Sequence, residues 1–256
     1  MIPYLELRSV AIGPLQVPVH WTLLSVGILL AHYRLIRRAR RLKLDPVTAA
    51  ALSVWMVVLG FVGSHFFKFL YFPEILARGP GALVRSHVGM ASFGGLAGGL
   101  LAAALYFGLR RIPFRQSLAY LDAVAFVFPS GWIFGRLGCS LVHDHPGIRS
   151  PSVFAVQYPG GARFDMAVLE VFFLLALLVL LVLLDRSPRT APFYLALFLV
   201  LYGPFRVLID QLHVDPPRYL GVSVDQWAGA VAGLAGAVLL FSAMRRGNSW
   251  DSRRLS

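Results

Sequence analysis

The chain has 256 residues, of which 57% are hydrophobic and only 14% charged, and its mean hydropathy is +0.69. That balance excludes an ordinary soluble domain and points to an integral membrane protein. The formal charge is +12, from 24 Lys and Arg against 12 Asp and Glu. Because those cations sit between uncharged runs long enough to cross a bilayer, no nucleic-acid partner is expected. A single cysteine, Cys139, excludes an intrachain disulfide and a Cys-rich metal centre.

Residues 1–16 carry Arg8 and Glu6 and lack the basic, apolar and small-residue sections of a cleavable signal, so they read as a retained surface stretch. A helix rises about 1.5 Å per residue, so roughly 20 mostly apolar residues cross a hydrocarbon core about 30 Å thick. Runs at 17–36, 47–67, 88–109, 116–135, 166–184, 190–209 and 226–244 meet this length. The fourth contains Asp122 and Pro129, and the sixth contains Pro192, Gly203, Pro204 and Arg206. Interrupted spans survive where their freed backbone groups face protein or water, so these two point inward. His65 and Lys68 close the second run. The longest stretch between spans, 136–165, is punctuated by Pro146, Pro151, Pro159, Gly160 and Gly161. It reads as an irregular outer loop whose uncharged residues 153–158 suit an extended arm over a site. The expected fold is all-α, one polytopic domain over 1–256 with seven transmembrane helices, and no repeat of fixed period divides it.

Orientation follows from the cations. Arg34, Arg37, Arg38, Arg40, Arg41 and Lys43 follow the first span, Arg110, Arg111 and Arg115 the third, Arg186 and Arg189 the fifth, and Arg245, Arg246, Arg253 and Arg254 the seventh. The other side receives Arg8, Arg78, Arg85, Arg136, Arg149, Arg163, Arg206 and Arg218. The positive-inside rule puts the richer side in the cytoplasm, the N-terminus outside and the C-terminus inside. Most of the charge excess is therefore topology.

The smaller outer set carries the chemistry. Arg136 and Arg206 stand at the outer ends of the two interrupted spans, each preceded by a glycine, Gly135 and Gly203. A cation at membrane depth is costly and is placed there for function or paired. Two planar guanidiniums suit the oxygens of a phosphate diester, which suggests an anionic phospholipid as ligand. Snorkelling, or pairing with Asp144 or Asp210, is the competing reading.

Residues 135–147, Gly-Arg-Leu-Gly-Cys-Ser-Leu-Val-His-Asp-His-Pro-Gly, resemble the signature of the prolipoprotein diacylglyceryl transferase family. That signature runs Gly-Arg-x-Gly-Asn-Phe-x-Asn-Gly-Glu with a further glycine three residues on. On this match Arg136 is the signature arginine, Asp144 stands at the glutamate and Gly147 at the closing glycine. Other pieces follow in order. His20-Trp21 is similar to a His-Trp in the family's first span, and Gly89-Met90 with Gly94-Gly95-Leu96 to its Gly-Met-Ser-Phe-His-Gly-Gly-Leu. Arg163 to Glu170 resembles Arg-His-Pro-x-Gln-Leu-Tyr-Glu in spacing, Tyr202-Gly-Pro-Phe-Arg206 resembles Tyr-Gly-x-Phe-Arg, and Ser223-Val-Asp-Gln226 resembles Ser/Thr-x-x-Gln. The resemblance implies a multi-pass enzyme of the bacterial inner membrane. Such an enzyme moves a diacylglyceryl group from phosphatidylglycerol to the lipobox cysteine thiol in the signal-peptide region of a preprolipoprotein. A thioether forms, glycerol phosphate leaves, and no cofactor is implied. Arg136 and Arg206 would stabilise the departing phosphate, His20, Gly94 and Gly95 would line the lipid site, and Glu170, Arg163, Gly147 and Tyr202 would support it.

Departures accompany the match. Phe93 replaces the family's histidine before the double glycine, Thr22 the tyrosine after His-Trp, and Cys139, Val142 and His143 the Asn, Asn and Gly of the signature. A phenyl ring accepts no proton, so His143 and His145, flanking Asp144, are the candidate acid or base beside Arg136; a solvated loop is their other reading. A paralogue of the same fold with a changed acceptor or lost catalysis, acting by binding phospholipid, is the alternative function. A transporter would call for an inverted repeat of broken spans, which is not apparent. The spacing of His143 and His145 matches no common zinc motif, although His213 or His87 could approach in space, and no metal is expected. Cys139 reads as a packing residue or as a thiolate stabilised by Arg136. The spacings Gly94 to Gly98 and Gly95 to Gly99 also suit close helix contact.

Overall fold

A computed structural model describes residues 1–77, 79, 81–82, 90–214 and 216–251. Arg78, Arg85, His87, Gly89, Arg253, Arg254 and the start of the expected third span lie outside the described residues. Among the described residues, seven helices are long and apolar enough to cross a membrane. They are α1 (Val19–Arg41), α2 (Pro46–Phe66), α3 (Ser92–Leu109), α4 (Phe114–Val142), α5 (Met166–Leu184), α6 (Phe193–Asp210) and α7 (Val224–Asp251). Their outward faces carry large exposed apolar side chains such as Leu29, Val58, Leu101, Val179 and Val231, as a multi-pass membrane protein requires.

Local signals set several helix starts. Asp45 accepts hydrogen bonds from the backbone N–H groups of Val47 and Thr48, with Pro46 at the first helical position. Asp165 does the same for Ala167 and Val168 at the start of α5. Asp122, the acid inside the fourth span, accepts from the N–H of Leu195 at 2.9 Å. It therefore satisfies a donor at the start of α6 across the bundle.

Helices pair through glycine contacts. A methyl on Gly27 would lie 2.3 Å from the carbonyl oxygen of Gly131, and one on Gly203 would lie 2.5 Å from that of Gly229. Backbones at these α1–α4 and α6–α7 crossings touch, which only a residue without Cβ permits. Gly94 likewise meets Gly63, and Gly95 lies near Gly60 and Ser64, where α3 crosses α2. Of the readings open for these two residues, the structure uses them as helix contacts. Aromatic and aliphatic side chains, among them Tyr120, Phe126, Leu174, Tyr194 and Phe198, fill the interior around α4.

One correction concerns the 136–165 loop. Helix α4 runs on to Val142, so Arg136 and Cys139 stand on a helix, and the connection starts at His143 in a left-handed conformation (φ 52°). Gly131, Gly135 and Gly138 keep the helical backbone and serve as close-contact sites. The rest of the connection forms a three-stranded antiparallel sheet in the order β3 (Pro146–Arg149), β5 (Gly161–Asp165), β4 (Val156–Tyr158). Of the arm expected at 153–158, only 156–158 is extended, as β4, and Ile2 lies alongside Val156. The N-terminal stretch forms a hairpin, β1 (Ser9–Ile12) with β2 (Leu15–Pro18), and the short strands β6 (Arg218–Tyr219) and β7 (Val222–Ser223) lead into α7.

Helix ends meet in two groups. The starts of α1, α3, α5 and α7 gather with the ends of α2, α4 and α6, as the contacts below document. At the opposite end Arg38 and Arg41 of α1 pair with Asp185 at the end of α5, and Tyr194 of α6 donates to the same carboxylate at 3.0 Å.

Candidate active site

Four helices contribute charge to one buried network. Glu170, on the second turn of α5, is 1% exposed. Its Oε2 lies 2.9 Å from Arg136 Nε on α4 and 3.2 Å from Arg206 Nη1 on α6. Its Oε1 accepts from Trp132 Nε1 at 2.9 Å and from the Tyr202 hydroxyl at 2.7 Å. Arg206 Nη2 pairs with Asp225 of α7 at 2.7 Å, and the other Asp225 oxygen accepts from Tyr71 at 2.8 Å. The two guanidiniums are matched by two carboxylates, so the cluster is neutral and fully buried without a stranded charge.

The arginines keep unused donor capacity. Arg136 Nη2 donates to Ser92 Oγ at 3.3 Å, while among the described residues Nη1 has only the Cys139 thiol, at 4.0 Å. Arg206 Nε has no hydrogen-bond partner. Guanidiniums positioned by carboxylates, with N–H groups left over, are suited to receive an oxyanion. The Trp132 ring lies 5.0 Å from the Arg136 guanidinium carbon and the Phe93 ring 5.7 Å from that of Arg206. Phe93 therefore gives Arg206 an aromatic face where the family signature has an imidazole.

Other expected residues separate into two places. Cys139 Sγ is 3.8 Å from His20 Nδ1, and Asp144 Oδ1 is 3.5 Å from His145 Nε2. One ligand atom each from Cys139, Asp144 and His145 lies within 4.8 Å of the others. These residues form a polar mouth beside Arg136. Burial raises the Asp144 carboxyl above its ordinary value, against the pull of His20 and Arg136. His145 keeps 38% of its side-chain surface. Even so, the protein bulk around its ring, then Arg136, His213 and Arg206, push the imidazole far below its usual range, leaving it neutral near pH 7.

His143 belongs elsewhere. Its Nδ1 is 2.8 Å from Asp165 Oδ2 and its Nε2 is 3.1 Å from the Leu5 carbonyl, while its ring stacks on Tyr4 at 4.2 Å. With both nitrogens engaged it ties the N-terminal stretch to the start of α5, so the expected His143-Asp144-His145 triad is divided. The left-handed turn at His143 sends its ring away from the two residues that follow.

Of the supporting residues, Tyr202 and Glu170 join the network. Gly147 packs on the carbonyl of Leu212, which a Cβ would approach to 2.6 Å. Arg163 stands in β5 opposite Val156 and Arg149, in the sheet. Asp210 accepts from Ser223 Oγ at 2.5 Å and faces His213, so it is not the partner of either arginine. His65 and Lys68 do stand at the end of the second span, the latter fully buried. Sequence reading missed Trp132, Ser92, Asp225 and Tyr71. Trp132 had a signal, since it precedes Arg136 by four residues and so shares its helix face. Asp225 had one in its place beside Ser223 and Gln226, whereas nothing local marks Ser92 or Tyr71.

The family model for prolipoprotein diacylglyceryl transferase matches residues 8–242. The chain belongs to that family. A phosphatidylglycerol--prolipoprotein diacylglyceryl transferase of Symbiobacterium thermophilum is 27% identical over 260 residues, covering 96% of each chain. One of Chromohalobacter salexigens is 32% identical over 235 residues, covering 88% of this chain and 85% of the relative. A third, of Frankia alni, is 28% identical over 259 residues, covering 96% of this chain and 68% of the relative. Family membership over seven membrane-crossing helices makes this a multi-pass bacterial membrane protein.

Proposed function

We propose that this family member transfers a diacylglyceryl group from phosphatidylglycerol to the lipobox cysteine thiol in the signal-peptide region of a preprolipoprotein. Transfer takes place at the outer face of the bacterial inner membrane, with the N-terminus outside and the C-terminus in the cytoplasm. The observation that carries this reading is the pair of buried guanidiniums held by Glu170 with N–H donors to spare. They lie at the end opposite Arg38, Arg41 and Asp185, the arginine-rich end that the positive-inside rule assigns to the cytoplasm.

The chemistry follows from charge. Phosphatidylglycerol has one negative charge on its phosphodiester. As the thiolate sulfur bonds to the glyceryl carbon and the carbon–oxygen bond breaks, the electron pair goes to the phosphate, which leaves as glycerol phosphate with a second negative charge. Arg136 and Arg206 therefore bind the departing state more strongly than the substrate, which is the condition for catalysis. The lipid lies against His20 and Phe93, whose ring faces Arg206. The thiol must surrender a proton, and Phe93 cannot take it, so activation falls to the mouth, to Asp144, whose carboxyl burial raises, with His145 beside it, rather than to the engaged His143. Binding of phospholipid by a paralogue without transfer is the second reading, favoured by the Phe93 ring over Arg206.

Protein in phosphatidylglycerol vesicles incubated with a lipobox peptide is expected to yield the thioether, detected by mass. Arg136→Ala and Arg136→Lys are expected to slow it strongly, since an ammonium cannot reproduce the planar fork. His145→Ala is expected to cost more rate than His143→Ala. Product from Arg136→Ala at the wild-type rate would overturn the role of the arginine. Wild type that binds the lipid through Arg136 and forms no product would establish the paralogue reading.

A further inference from the structure

The mouth beside Arg136 brings together a donor set that no local spacing announces. Cys139 comes from α4 and His20 from the first turn of α1, while Asp144 and His145 come from the turn after α4. Tetrahedral zinc bonds of about 2.3 Å to sulfur and about 2.0–2.1 Å to nitrogen or oxygen put sulfur about 3.6 Å from nitrogen and nitrogen about 3.4 Å from oxygen. The observed separations are 3.8 Å for Cys139 Sγ to His20 Nδ1 and 3.5 Å for His145 Nε2 to Asp144 Oδ1. Sγ, a carboxylate oxygen and an imidazole nitrogen from Cys139, Asp144 and His145 all fall within 4.8 Å. The two pairs already stand within a few tenths of an ångström of zinc spacing, and side-chain rotation by about an ångström draws Cys139, Asp144 and His145 from within 4.8 Å onto one ion.

Charge fits as well. Arg136 and Arg206 are already balanced by Glu170 and Asp225. A Cys139 thiolate and the Asp144 carboxylate would add two negative charges, which a divalent cation cancels. A thiolate with two imidazoles selects a borderline-soft ion over magnesium or calcium. Burial leaves Cys139 7% exposed, while Asp144 keeps 45% of its side-chain surface, so the site has a closed side on the helix and an open side at the mouth.

We propose that Cys139, Asp144 and His145 bind one zinc ion, with His20, 3.8 Å from Cys139 Sγ, swinging in as the fourth donor. On the transfer reading, from which this role alone follows, the acceptor thiol takes the place of Asp144 on the ion. It binds as thiolate and loses its proton to bulk water, because a metal-coordinated thiol is deprotonated outright. The ion then does what the family's histidine position, here Phe93, cannot. No electrons are exchanged with the ion, and the sulfur–carbon bond forms as the carbon–oxygen bond breaks.

The test uses the full chain in detergent, freed of any polyhistidine tag, equilibrated with zinc and desalted, with metal content read by elemental mass spectrometry. One zinc per chain is expected, and cobalt loaded in its place should show a thiolate-to-cobalt charge-transfer band. Cys139→Ser should abolish that band, and His145→Gln and His20→Gln should weaken zinc affinity about 10–100-fold or more, a ligand mattering at least as much as the groups that orient one. An unchanged elution profile shows that a variant still folds. Wild type retaining less than a third of an equivalent, or a wild-type cobalt protein without the band, overturns the site. Because loading needs neither lipid nor peptide, the two proposals separate. Zinc bound without product leaves the site standing and refutes transfer, and product formed at full rate by metal-free protein refutes the role of the ion.

Discussion

Replacing Glu170 by Gln removes the one carboxylate shared by both arginines and leaves the shape of the site nearly unchanged. The amide oxygen can still accept from Trp132 and Tyr202, which now donate at 2.9 and 2.7 Å. Arg206 keeps Asp225 at 2.7 Å, so the loss falls on Arg136, whose remaining neighbours are a serine hydroxyl and a thiol. Leaving one member of a buried pair uncompensated costs about 3–5 kcal/mol. A neutral interhelical hydrogen bond in a membrane bundle is worth only about 0.6 kcal/mol on average, so the two accounts of Glu170 are well separated. The assay is reversible unfolding in mixed micelles with increasing dodecyl sulfate, followed by tryptophan fluorescence. Glu170→Gln is expected to lose about 3–5 kcal/mol, and Glu170→Gln with Arg136→Met less than the single variant, because the stranded cation is gone. A loss below about 1 kcal/mol, or a double variant as unstable as the sum of the two singles, would refute the charge-compensation account.

Gly203→Ala should destabilise by about 1–3 kcal/mol, because its methyl would sit 2.5 Å from backbone atoms of Gly229 and Gly233 and force α6 from α7. Gly108→Ala, whose methyl meets nothing within 4 Å, should be neutral or stabilising in the same assay, and equal losses at both positions would contradict the close-contact geometry. Burial would raise the Asp185 carboxyl, but hydrogen bonding to Arg38, with Tyr194 and Arg41 beside it, holds it below its ordinary value. A depressed carboxyl contributes stability that is present above its unfolded pKa of about 3.9 and is lost as pH falls through the lower folded value. Wild type should therefore lose more stability than Asp185→Asn between pH 5 and the acid limit of folding, and parallel pH curves would refute the contribution.

The number and order of the spans were legible in the sequence because hydropathy is a local sum over about 20 residues. Six of the seven expected spans overlap their helices along most of their length, and the third overlaps from Ser92 onward within the described residues. The prediction that Arg136 begins a loop failed because Gly135 was read as a bend, whereas Gly131, Gly135 and Gly138 keep the helix and let α1 approach α4. Arg136 and Arg206 were legible because a cation at an interrupted span is costly. Glu170 was legible as one of two candidate partner carboxylates, with Asp144, and only helix packing decides that Glu170 reaches both arginines.

By itself, then, the sequence determined that this is a membrane protein with seven spans, and it named Arg136 and Arg206, since transfer cost and charge placement are properties of segments. Tertiary structure decided that Glu170, of the two carboxylates the sequence offered, bridges both arginines, and that Asp225 completes the balance. It also divided His143 from Asp144 and His145 and brought His20 to Cys139 across 118 intervening positions. A side chain's partner is set by helix crossing and rotation, to which residues far apart in the chain contribute jointly, and no window along the sequence contains that information.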